Sequence, residues 1–117
     1  MNVIIEVIDS MLGHPAEGVH VRIESQVDEG PAVEVEGRTD ENGQFGHSLA
    51  GPALGRGIHR LELDIDGYFA TVGLVPFQSK SVIEFRVLDP AERQHIVVMI
   101  APYAQIVYSH VISSTAT

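Results

Sequence analysis

The sequence predicts an all-β fold: an antiparallel sandwich of about eight short strands with one short helix. Three observations point there. Short runs of alternating apolar and polar residues recur along the chain. Gly, Pro, Asn and Asp punctuate the gaps between them. Three segments, 3–9, 93–100 and 104–112, carry β-branched or other apolar side chains on both faces. A strand with one wet side should alternate cleanly, so these three need cover twice. One face can meet the core of the domain; the other needs a partner, and polar residues set into it mark a possible site.

Composition bounds the rest. With 117 residues, 44% hydrophobic and 20% charged, the chain suits one globular domain, expected over residues 1–112, and 113–117 reads as a short polar tail. Seven basic against sixteen acidic side chains give a formal charge of −9. That argues against nucleic acid and against an anionic membrane surface as partners. A small anion in a pocket is not excluded. The absence of Cys removes disulfides, thiolate chemistry and Cys-ligated metals, and fits a reducing compartment. No basic leader and no apolar run of spanning length is visible, so a cytoplasmic location is expected.

Along the chain, residues 3–9 form the first doubly apolar strand, with Ile4, Glu6 and Ile8 on one side and Val3, Ile5 and Val7 on the other. A Gly13-His14-Pro15 connection leads to residues 19–24, where Val19, Val21 and Ile23 face inward. Residues 25–31 read as a solvated loop, and 33–36 as a strand with its Glu residues outward. Asn42-Gly43 is a hairpin-turn signal between two strand-like pieces. Residues 51–57 form a Gly-rich linker, and Leu61, Leu63 and Ile65 point inward from the next strand. Residues 66–74 are the helix candidate, with Asp66 available as N-cap. Ile83, Phe85 and Val87 face inward from the strand after it, and 88–93 is a loop. In residues 93–103, His95, Val97 and Met99 share one face while Ile96, Val98 and Ile100 share the other. After a Pro102-Tyr103 corner, Ile106, Tyr108, His110 and Ile112 share a face. Gln105, Val107, Ser109 and Val111 share its opposite.

Several of these segments resemble the transthyretin superfamily, which includes a hormone carrier and 5-hydroxyisourate hydrolase. They are Val7-Ile8-Asp9 with Gly13-His14-Pro15-Ala16 and Val19-His20-Val21; Gly37-Arg38-Thr39-Asp40-Glu41-Asn42-Gly43; Gly67-Tyr68-Phe69 leading to Val75-Pro76-Phe77; and Ala101-Pro102-Tyr103. The resemblance covers nearly the whole chain. It implies an eight-stranded transthyretin-like sandwich with a helix after the fifth strand. It also implies a homotetramer, a dimer of dimers, whose channel is lined by the first strand and the last two. Those are the strands found apolar on both faces.

The enzyme branch implies four site positions. Its first-strand His falls on Glu6, and its Arg after the turn falls on Gln44. The His that opens its penultimate strand falls on His95 and is retained. Its terminal Tyr-Arg-Gly-Ser falls on Tyr108-Ser109-His110-Val111, where the Tyr alone is kept. The expected site therefore pairs Glu6 with His95 for proton transfer, since a carboxylate and an imidazole suit acid–base work near neutral pH. Gln44 would orient a substrate. Ile8, Val97, Met99, Ile106 and Tyr108 would form apolar walls, with Ser109 and His110 as further contacts.

Taken singly, Glu6 reads as a solvated carboxylate and His95 as a structural histidine; their convergence on one cavity is what raises them. Ser109 with His95 and an acid can be drawn as a hydrolase triad, but no nucleophile elbow supports it. No His-x-His or His-x₃-His spacing occurs, so neither metal nor other cofactor is expected. His14, His20, His47 and His59 read as solvated. Three functions stay open: acid–base transformation of a small cyclic organic molecule by ring opening or cyclisation, binding without turnover, and hydroxyisourate hydrolysis in purine degradation.

Overall fold

Two sheets share one apolar interior in the computed structural model, which describes residues 1–26, 34–46 and 53–112. In chain order the elements are β1 (Val3–Asp9), β2 (His14–Pro15), β3 (His20–Gln26), β4 (Glu34–Arg38), β5 (Gln44–Phe45), β6 (Gly57–Asp64), α1 (Ile65–Ala70), β7 (Lys80–Val87), β8 (Arg93–Ala101) and β9 (Ala104–Ile112). One sheet runs β4-β3-β6-β7. The other runs β2-β1-β8-β9, with β5 also paired to β1. The two-residue strands β2 and β5 together occupy the edge of β1 that β8 leaves free. The described strands pair antiparallel except β1 on β8, which are parallel. The polar tail at 113–117, the loop core at 27–33 and His47 lie outside the described residues.

Period-two alternation explains the interior. Val3, Ile5 and Val7 of β1 and Ile96, Val98 and Ile100 of β8 meet Val21 and Ile23 of β3 and Leu61 and Leu63 of β6. On the opposite side of the four-stranded sheet the charged residues pair with one another, Arg22 reaching Glu24, Glu34 and Glu62. His59 corrects the solvated expectation. It is in phase with Leu61 and Leu63, is fully buried, takes a 2.7 Å contact from Ser25 Oγ at Nδ1 and reaches the Gly55 carbonyl at 2.7 Å through Nε2. A buried imidazole with both nitrogens satisfied belongs to the core.

Two local expectations shift. The helix begins at Ile65, and its cap is Asp64, whose Oδ1 accepts from Gly67 N at 3.0 Å; Asp66 instead sits in the first turn. Strand β6 runs directly into the helix, so the strand's last residue is the cap. The Asn42-Gly43 turn does form, with Gly43 N donating to Asp40 O at 2.9 Å and Gly43 at φ 73°. It does not close a hairpin, however, because β4 pairs with β3 and β5 with β1: the turn carries the chain from one sheet to the other.

Two buried polar groups lock the ends of β1. At its start, Asn2 Nδ2 donates to Leu54 O at 2.9 Å and Pro90 O at 3.2 Å, and its Oδ1 accepts from Leu54 N at 2.8 Å. At its end, the buried Asp9 carboxylate accepts from Tyr68 Oη at 2.7 Å and from Met11 N and Leu12 N at 3.0 Å each. Burial, followed by the bond to and the charge of Asp9, pushes the Tyr68 phenol well above its ordinary range.

Below about pH 10 the phenol is neutral in folded and unfolded chains alike, and its full contribution to stability is present. As pH rises further the unfolded phenol ionises first, so that contribution is progressively lost. Tyr68→Phe should cost about 1–3 kcal/mol at neutral pH by stripping a donor from a buried carboxylate. The melting-temperature gap between variant and parent should narrow between about pH 10 and 12; a constant gap across that range would contradict this. Gly43 makes a second prediction. A Cβ there would strike the Val7 carbonyl oxygen, and the backbone is left-handed. Gly43→Ala should lower stability by about 1–3 kcal/mol in a denaturant melt, whereas Gly13→Ala, with open space around it, should cost less.

Candidate functional site

The outward face of the β1-β8-β9 sheet is built in rungs. Ile4, His95 and His110 lie side by side, as do Gln44, Glu6, Val97 and Tyr108, and then Pro15, Ile8, Met99 and Ile106. Neighbouring strands are about 4.8 Å apart, so each rung is one side chain per strand in contact range. Apolar residues dominate, which suits strands rich in Val and Ile, and the polar groups cluster in the first two rungs. Gln44, Glu6, His95, His110, Ile8, Val97, Met99, Ile106 and Tyr108 thus share one face. Ser109 does not. It stands opposite Ile96 on the other face of β9, in a groove of about 280 Å³ between the edges of the two sheets, which also takes in Ile83, Phe85 and Val107. The Ser109–His95 triad is therefore excluded by the pleat.

Glu6 and His95 meet diagonally across the β1–β8 pair. Oε1 of Glu6 is 2.8 Å from Nε2 of His95, with 24% and 17% of the side chains exposed. Nε2 is shielded from water, yet the contact lacks hydrogen-bond alignment. It is an ion-pair distance without a directed N–H bond, a geometry in which the imidazole can turn towards a third group. The His110 ring lies 5.0 Å from that of His95, tilted by 59°. A carboxylate and two imidazoles on an apolar surface can accept, hold and return a proton.

Cover is uneven. Ile4 and Val97 are buried within the single chain, whereas Ile106 and Tyr108 are 59% and 49% exposed. The face is closed over β1 and open over β9. Arg93 lies on the same face, opposite Ile112 and one rung beyond the His95–His110 pair, and Asn2 precedes Ile4 beside it. Sequence reasoning set Arg93 where the loop meets the strand and gave it no role, although the spacing 93, 95, 97, 99 was a usable signal. Among the described residues no group of three or more His, Asp or Glu is placed to hold a metal ion, and no helix is long and apolar enough to cross a membrane.

A profile of the HIUase/Transthyretin family matches residues 3–109. The chain belongs to that family. It is 33% identical over 106 residues to the 5-hydroxyisourate hydrolase of Caulobacter vibrioides, covering 87% of this chain and 91% of that one. Its fold matches transthyretin from Sparus aurata with a TM-score of 0.83 at 19% identity, over 96% of this chain and 98% of that. Sea bream transthyretin in complex with thyroxine matches with the same TM-score at 20% identity over the full length of both. For a member of the HIUase/Transthyretin family, the arrangement on the β1-β8-β9 face puts a carboxylate against a histidine on an apolar wall.

A structural role for that carboxylate can be separated from a functional one. A half-buried ion pair recovers little of its desolvation. Replacing both partners, Glu6→Met with His95→Leu, should therefore leave the melting temperature unchanged or raise it, with a free-energy change within about 1 kcal/mol of zero. A loss of several kcal/mol in a urea melt would mark the pair as structural.

Proposed function

We propose that this face binds a small cyclic organic molecule and transforms it by acid–base chemistry. The observation that carries the reading is the 2.8 Å approach of Glu6 Oε1 to His95 Nε2 on an otherwise apolar sheet. In the forward step the Glu6 carboxylate takes a proton from a water that attacks a ring carbonyl. His95, acting as general acid, delivers a proton to the departing ring nitrogen. Gln44, beside Glu6, orients the ring carbonyl through its amide. Ile8, Val97, Met99, Ile106 and Tyr108 exclude water, which strengthens each polar contact. The His110 ring lies against that of His95, 5.0 Å between centroids, and borders the same part of the face.

The chain acts as one domain over residues 1–112 and as a homotetramer in this reading. A second copy laid over the open β9 half turns the face into a channel. The exposure of Ile106 and Tyr108 supports that, because contiguous apolar surface on a sheet face favours a partner. Kinship with a protein named 5-hydroxyisourate hydrolase supports ring opening as the reaction class. Binding without turnover is the second reading, favoured by the lack of hydrogen-bond alignment between Glu6 and His95.

Ring opening is followed by ultraviolet absorbance with freshly generated 5-hydroxyisourate and with a set of cyclic amides and imides. Turnover should fall by roughly 10²–10⁴-fold in Glu6→Gln and in His95→Gln. Turnover unchanged in the Glu6→Ala, His95→Ala double variant would overturn the acid–base assignment. Saturable binding with no turnover selects the second reading. Light scattering should give a tetramer mass, reduced by Tyr108→Glu; a monomer at all concentrations would remove the channel.

A further inference from the structure

Among the described residues Arg93 is the only Lys or Arg side chain on this face, and the inner edge of its guanidinium is unused. Its alternation with His95, Val97 and Met99 puts it opposite the core-facing Ile96, Val98 and Ile100. The backbone there is fixed, since Gln94 N donates to Asn2 O at 2.9 Å and Asn2 is itself pinned to Leu54 and Pro90. Two guanidinium nitrogens, Nε and Nη2, are shielded from water and have no hydrogen-bond partner. No acidic side chain comes within ion-pair distance of Arg93 among the described residues; Glu6 is taken up by His95. Two other arginines have partners: Arg22 reaches three glutamates, and Arg38 donates to Gly18 O at 2.9 Å.

Leaving a desolvated cation unpaired is among the costlier arrangements in a folded chain. The identity of the idle atoms is specific. Nε and Nη2 form the side edge of the guanidinium, whose two parallel N–H bonds match the two oxygens of a carboxylate. Their dehydration is already incurred in the free chain, so an arriving carboxylate meets a pre-formed positive fork in a low-dielectric setting. It enters by displacing the side chains that shield the fork.

We infer that Arg93 is the anion subsite of this face and that the cyclic molecule carries a carboxylate. The inference rests on the proposed function and narrows its substrate class. Along the extended strand, positions 93 and 95 are about 7 Å apart. A ring lying on Val97 against Glu6 and His95 can therefore reach the fork with a carboxylate substituent. The fork also explains how a chain of net charge −9 can take an anion: the positive charge is local and dry, out of reach of the solvent-screened carboxylates.

The test uses the full chain with matched probes, orotate against its primary amide and nicotinate against nicotinamide. Titration calorimetry measures affinity, and NMR shifts of the Met99 and Ile106 methyl groups report whether the probe sits on this face. The acids should bind at least tenfold more tightly than the amides. Arg93→Met should weaken the acids roughly tenfold to a hundredfold and the amides less than twofold. Arg93→Lys should recover part of the loss, because an ammonium keeps the charge but not the fork. Acids and amides binding this face equally, or a preference for acids that survives in Arg93→Met, would overturn the inference alone. Methyl signals unmoved by either class would overturn the cavity reading together with it. Melting curves establish that each variant is folded; if Arg93→Met does not fold, the acid–amide comparison on the parent chain and Arg93→Lys decide.

Discussion

The parallel register of β1 on β8 is the constraint on which the rest of the molecule depends. With Ile4 against His95 and Glu6 against Val97, the even residues of β1 and the odd residues of β8 fall on one face. The others form half the core. A slip of one residue would send Glu6 into the interior and Ile5 out of it, at a cost no other contact could offset. Core and site are therefore two sides of one pairing. The buried ends of β1, held at Asn2 and at Asp9, keep that register from sliding.

Polar groups inside this sandwich divide by whether their partners are complete. Asp9, Thr39 and His59 are buried and bonded, and they tie loops and the helix to the sheets. Thr39 Oγ1, for instance, accepts from Val19 N at 2.9 Å and donates to Ala16 O at 2.7 Å. On the opposite face of β8 the balance differs. His95 Nε2 touches Glu6 without a directed bond, and the Arg93 fork has no partner. Saturated groups hold a fold; unsaturated ones on an accessible side of a rigid sheet are available to a ligand.

Two sheet edges, β7 in one sheet and β9 in the other, flank the groove that holds Ser109. Together with the open half of the β9 face they leave the last strand largely uncovered, most of its side chains being exposed. Strand β9 supplies Tyr108 and His110 to the candidate face, so whatever covers that strand also covers those two side chains.

Much of this was legible in the sequence. The alternation of β3, β6 and β7, the doubly apolar β1 and β8 and the grouping of Glu6, His95, Val97, Met99, Tyr108 and His110 by phase all follow from side chains pointing to opposite sides of successive residues. The same rule set Ser109 apart and would have put His59 inside. What local pattern could not supply was which strands become neighbours. That β1 lies parallel to β8, bringing residue 6 within 2.8 Å of residue 95, is a contact between chain ends. So is the route of the Asn42-Gly43 turn between sheets. The unpaired state of Arg93 is tertiary too: periodicity gives a side chain its face, but only the packed chain decides whether a partner is there to meet it.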